Sequence, residues 1–205
     1  MLLSLAKCGS TSVEAALAPY HEEVPGGPFR KHANVRRFDR FVQPGLESQG
    51  FDRNDYEVVS LFREPVEWLA SWWRYRQRPF LAKKRPERFT GGMSFEEFAD
   101  RFLARDPGVI RGHPAHFVSA ASGEVGVDRI FALDRPEVWV PWFSERVGAP
   151  LEIGTLNRSR LRSVPELSAG MRDRLEEFFA AERDIQERLV PRGEWKPPPG
   201  YVPGR

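Results

Sequence analysis

The segment YEVVSLF at residues 56–62 constrains the fold more than any other part of the chain. It is mostly β-branched or apolar without strict alternation, which suits a strand covered on both faces, as in sheets flanked by helices. Arg63-Glu64-Pro65 ends it. Pro65 then opens a helix, a position where its missing N–H leaves no bond unmade. Val66, Leu69, Ala70 and Trp73 fall on one face of that helix.

The same alternation recurs along the chain. Leu2, Leu3 and Leu5 form a short apolar run, KCGSTS follows at 7–12, and Val13, Ala16 and Leu17 then carry helical spacing, with Ser10 to Ser12 available as caps. RIFAL at 129–133 reads as a strand, and Asp134 with Glu137 marks the start of a helix carrying Val138, Trp142, Phe143 and Val147. Ser94 and Glu97 form a capping box before Phe95, Phe98, Ala99, Phe102 and Leu103. Residues 153–156 suggest a further strand. A last helix is expected from Ser168 to Leu189, with Met171, Leu175, Phe178, Ile185 and Leu189 inward. These elements predict an α/β layer structure on a mainly parallel central sheet.

At roughly 150 residues per domain, 205 residues make one domain. We expect it to span 1–190, with an irregular Pro- and Gly-rich tail at 191–205. Hydrophobic residues at 40% and charged residues at 29% suit a buried core rather than a disordered chain. The net charge of +2 is too even for binding nucleic acid through charge alone, so any anion site must be local. Cys8 is the only cysteine and cannot form an internal disulfide. The apolar stretch at 1–6 falls far short of the roughly 20 residues of a membrane span, and we expect a soluble, cytoplasmic protein without a transmembrane segment.

A glycine- and hydroxyl-rich turn between a buried strand and a helix aims backbone N–H groups and the positive helix end at one spot, as phosphate sites do. Lys7 adds a full charge. The nucleotide pattern G-x-x-x-x-G-K-[ST] is absent, because Lys7 precedes Gly9. Taken alone, KCGSTS is equally a capped helix start. Arg63, at the end of the central strand, and Ser71, two turns into the next helix, supply a forked donor and a neutral one for a second phosphate.

Together LLSLAKCGSTSVEAAL and VVSLFREPVEWLASW resemble, in order, the 5′-phosphosulfate loop and the 3′-phosphate motif of sulfotransferases. Lys31-His32-Ala33, VDRIFALDRPEVW and Leu156-Asn157-Arg158-Ser159 extend the likeness to the membrane-bound and bacterial branch, over about residues 1–190. The resemblance implies a P-loop NTPase-like three-layer α/β fold and 3′-phosphoadenosine 5′-phosphosulfate (PAPS) as donor, with PAP as product and no metal. It implies that Lys7, Cys8, Gly9, Ser10, Thr11 and Ser12 hold the 5′-phosphosulfate and that Arg63 and Ser71 hold the 3′-phosphate. Asn157 and Arg160, in NRSR, resemble a turn that covers the nucleotide. Ala6 stands where the family usually has Pro, Cys8 where it has Ser or Thr, and Glu64 where its larger branch often has Asn or Asp.

The acceptor would then be a hydroxyl, or secondarily an amine, of a small molecule or carbohydrate. Lys7 suits the charge that develops on the transferred group and the leaving oxygen. His32 is the candidate base, in a cation-rich stretch at 30–40 that should keep imidazole neutral. His113 and His116 have no third Cys or His near them in the sequence, so no metal is expected. Trp73 is expected in the core, with Trp68, Trp72 and Tyr75 covering neighbouring helices, the adenine or a sugar acceptor. The cationic stretch at 74–88 reads as a solvated loop, or as an attractor of an acidic acceptor. The rival readings are a nucleotide-binding protein without catalysis and a small-molecule kinase.

Overall fold

All four residues of the strand Val59–Phe62 are buried, and each face of it has a reason to be. In chain order the elements of the computed structural model are β1 (Leu2–Leu3), α1 (Ser10–Leu17), α2 (Val35–Phe41), α3 (Gln43–Glu47) and β2 (Val59–Phe62). Next come α4 (Pro65–Arg76), α5 (Pro79–Lys84), α6 (Phe95–Leu103), α7 (Pro114–Val118), β3 (Arg129–Ala132) and α8 (Pro136–Val147). The chain ends with α9 (Ala169–Phe178), α10 (Ala180–Leu189) and β4 (Glu194–Trp195). The structure describes residues 1–20, 32–110, 112–154 and 165–198.

The sheet runs β1-β2-β3-β4. β2 pairs in parallel with β1, Leu2 opposite Val59, and with β3, Val59 opposite Arg129 and Phe62 opposite Ala132. The chain is therefore α/β with a mainly parallel sheet. β4 pairs antiparallel with β3, Phe131 opposite Glu194, so two residues of the expected irregular tail form a strand instead. The reason is electrostatic as well as geometric. Arg129, 7% exposed in its side chain, donates to Glu194 at 2.6 Å and to Glu57 at 3.2 Å, and its guanidinium lies over Trp142. A buried guanidinium requires such partners, and Glu194 supplies one from the tail.

Contacts divide the chain into two compact units. The first comprises Met1–Arg63, Pro114–Asn157 and Ile185–Arg205, and the second comprises Glu64–His113 and Arg158–Asp184. The whole sheet belongs to the first. Its core holds Leu3, Val13, Phe38, Phe62, Ile130 and Phe131, none more than 2% exposed. The helix after β3 starts later than Asp134 and Glu137 suggested, because Pro136 occupies its first turn and restrains Arg135 from the helical region. Arg135 then pairs with Glu137.

The second unit is built around aromatic rings. Trp68 meets Phe102 at 6.2 Å and Phe179 at 6.4 Å, edge to face. Trp68, 4% exposed, is thus the core tryptophan of α4 in place of Trp73, whose indole N–H donates to the Met93 carbonyl at 2.8 Å. The expected long last helix is broken at Phe179. Neighbouring residues of a helix point about 100° apart, yet Phe178 and Phe179 both pack on Phe102, at 5.1 and 5.7 Å. The break turns both rings onto one partner. Ser94 caps α6 by accepting from Glu97 N at 3.1 Å, while the Glu97 carboxylate turns to Arg101 rather than back to the cap.

Of the expected strand at 153–156, residues 153 and 154 are irregular, and the rest lies outside the described residues. Among the described residues no helix is long and apolar enough to cross a membrane.

Candidate functional site

Parallel pairing brings the C-terminal ends of β1, β2 and β3 to one edge of the sheet, where open α/β sheets hold ligands. The KCGSTS loop leaves β1 at that edge, Arg63 follows β2, and Leu133 follows β3, its N–H donating to the Phe62 carbonyl at 2.8 Å. The loop and Arg63, far apart in sequence, therefore meet.

The loop's conformation is specific. Lys7 has φ 69° and Gly9 φ 72°, both left-handed. Gly9 suits that φ, and a Cβ there would stand 2.8 Å from Leu133 Cδ1, so the end of that leucine side chain would have to shift. Lys7 has no such excuse, and a side chain in this region costs about 1–2 kcal/mol. Gly9 is the N-cap of α1, and no side chain caps the helix. In place of the expected caps at Ser10 to Ser12, Gly9 holds the N-cap position, and Ser12 N and Val13 N turn back to its carbonyl. A helix N-terminus presents positive partial charge. Ser10 is buried, Ser12 half-buried and Thr11 exposed.

Cys8 points inward at 1% exposure, and its N–H donates to the Leu5 carbonyl at 3.2 Å. Burial pushes its thiol up to about 12, against the opposing pull of the Arg63 charge, the Arg63 backbone N–H bonded to it, and the Lys7 charge. This thiol is packing beneath the loop, with both cations close enough to act on it. Lys7 and Arg63 are each half-buried.

His32 is exposed, at φ 69°, with Nδ1 2.5 Å from the Ser4 carbonyl oxygen just past β1. A carbonyl only accepts, so Nδ1 carries the proton and Nε2 keeps its lone pair when the ring is neutral. Among the described non-glycine residues, positive φ occurs at Lys7, His32 and Arg105. The first two are the residues singled out as catalytic, and backbone strain of this kind gathers at functional sites.

Ser71 lies in the second unit on α4, 7% exposed. Glu64 caps the same helix, its carboxylate accepting from Val66 N at 3.0 Å and Glu67 N at 2.6 Å. A glutamate in the N-cap position thus reaches two donors of the first turn. Asn157 and Arg160 lie outside the described residues. His113 sits 3.4 Å from the buried carboxylate of Glu182 and stacks on Phe178, an environment of packing. Among the described residues no group of three or more His, Cys, Asp or Glu could hold a metal ion.

Two contributors carry no signal in the sequence. The Ser4 carbonyl orients His32, and the Leu133 side chain crowds the place of a Cβ at position 9. A backbone carbonyl has no residue signature, and Leu133 looks only like the end of a strand. Comparison with protein-family models, with curated proteins and with solved structures finds no match to this chain.

Proposed function

We propose that the chain is a PAPS-dependent sulfotransferase with a P-loop NTPase-like fold, moving a sulfuryl group to a hydroxyl of a small molecule or carbohydrate. One observation carries the reading most: a helix start with glycine at its N-cap, reached through left-handed Lys7 and Gly9, lies at the sheet edge where Arg63 also emerges. A helix N-terminus and two cations at one edge suit an anion with more than one phosphate-like group.

In this reading the backbone of Gly9 to Ser12 and the hydroxyls of Thr11 and Ser12 hold the 5′-phosphosulfate, and Arg63 takes the 3′-phosphate. Cys8 contributes by packing. Roles for Ser71, Asn157 and Arg160 rest on the sequence resemblance alone. Lys7 balances charge on the transferred group and on the oxygen that leaves with the nucleotide. As the acceptor oxygen bonds to sulfur, its proton passes to His32 Nε2, the nitrogen that the Ser4 contact leaves basic. The exposure of His32 leaves it open to an acceptor arriving from solvent.

Calorimetry with PAP, ADP and ATP tests the donor. PAP is expected to bind at least about tenfold more tightly than ADP, or about 1.4 kcal/mol, because only PAP offers Arg63 a 3′-phosphate. Arg63→Ala should erase the difference. Equal affinity for PAP and ADP would leave a general nucleotide-binding protein, and a preference for ATP would favour the kinase reading.

A further inference from the structure

We infer that α5 and the turn at Pro86–Arg88, in the second unit, form a docking face for an anionic lipid bilayer. The cationic stretch is not the loose solvated loop that its composition suggests. Arg76, 7% exposed, donates to the Arg88 carbonyl at 3.1 Å and to the Val109 carbonyl at 2.8 Å. Thr90 N donates to the Arg76 carbonyl at 3.1 Å, and Leu81, 2% exposed, anchors α5 from beneath. A buried guanidinium is thus committed to holding an exposed segment in one shape, which lowers the ordering cost of binding a partner.

What that segment presents is four exposed cations, Lys83, Lys84, Arg85 and Arg88, with Glu87 as the only carboxylate in the run from 79 to 89. Glu87 pairs with Arg88 at 3.4 Å, but both side chains are more than half exposed, so salt and water weaken the pair. Two phenylalanines flank the cations in sequence, Phe80 at 43% exposure and Phe89 at 36%. Phe80 rests its inner side on Tyr75, ring centroids 6.1 Å apart, and leaves the rest to solvent.

Cations alone would suit any polyanion. The rings decide between partners: phenylalanine has no polar atom to return to water, and it gains most by entering the boundary between headgroups and acyl chains, while Lys and Arg stay among phosphates. At an anionic leaflet each cation multiplies affinity about fivefold, so four suffice for reversible attachment.

The test is co-sedimentation of the full chain with vesicles of phosphatidylcholine alone and of phosphatidylcholine with 30–40% phosphatidylserine, alongside heparin and RNA binding. Binding is expected only to the anionic vesicles. Lys83→Glu with Lys84→Glu should weaken it at least about tenfold. Phe80→Ser with Phe89→Ser should weaken it about threefold or more, a loss that lowering the salt does not restore. The substituted side chains are exposed, and circular dichroism checks folding. Should the phenylalanine variant fail to fold, the charge variant and the dependence on phosphatidylserine fraction still decide. Absence of vesicle binding, vesicle binding unchanged in both variants, or binding of heparin or RNA without vesicles each overturns the inference.

Discussion

His32 reaches back from its left-handed turn to the carbonyl of Ser4, Nδ1 to oxygen 2.5 Å, and so fixes which of its two nitrogens can accept a proton. Asparagine separates that contact from the chemistry. It tolerates positive φ better than most residues, and its amide nitrogen stands near the place of Nδ1, but it has nothing in place of Nε2. His32→Asn should therefore fold and bind PAP like the parent while losing about 100-fold or more in turnover on an alkyl alcohol. The loss should shrink for an acidic phenol, which needs less help in giving up its proton. Parent-like turnover on the alcohol would show that His32 is not the base.

Gly9 is constrained by two separable terms, its φ of 72° and the 2.8 Å approach of a Cβ to Leu133 Cδ1. Gly9→Ala should destabilise by about 1–3 kcal/mol in urea unfolding. Adding Leu133→Ala removes the crowding but not the backbone term. The double variant should therefore be less impaired than the sum of the two single changes, a coupling of about 1 kcal/mol. Strict additivity would mean that the loop relaxes away from Leu133 and that backbone conformation alone selects glycine.

The parts of this molecule legible in its sequence are those where one residue type does one job. YEVVSLF announces the central strand, though only its last four residues, β2, are strand, and these pair on both sides. KCGSTS announces a strand-to-helix turn, and α1 begins inside it. Two of the misreadings have a different cause, a partner distant in sequence. Glu194 joins the sheet because Arg129 needs it, and Phe179 breaks a helix because Phe102 receives two rings. The strain at Lys7 is invisible because nothing in a lysine predicts positive φ.

Cys8 offers a pH dependence with a definite sign. Its thiol is pushed by burial from an ordinary value of 9.0 up to about 12 in the folded chain. Below pH 9 both folded and unfolded chains keep the proton and the group contributes nothing to the slope. Above it the unfolded thiol ionises while the folded one does not, so this contribution to stability falls as pH rises toward about 12. Cys8→Ser should remove that part, leaving the parent's stability falling more steeply than the variant's between pH 9 and 11, by up to about 1.4 kcal/mol per pH unit. At pH 8 the native thiol should react with a disulfide reagent only as fast as the chain opens. Rapid native labelling, or equal pH slopes, would contradict the burial of Cys8.

Lys7 combines strain with charge, and glycine and alanine at that position tell the two apart. Its φ of 69° costs a side chain about 1–2 kcal/mol. Glycine relieves that cost but adds freedom to the unfolded chain, so Lys7→Gly should come out about 0.5–1 kcal/mol more stable than Lys7→Ala. Both variants lack the ammonium group, and both should lose about 100-fold in kcat, as when one donor to a developing charge is removed. PAP affinity should fall much less in either, because PAP has no sulfuryl group for Lys7 to hold. A loss of kcat with donor affinity kept marks an interaction made mainly in the transition state. If PAP affinity instead falls in step with kcat, Lys7 serves to bind the nucleotide's phosphates, and the stabilisation of the leaving oxygen must be sought in the backbone N–H groups of Gly9 to Ser12.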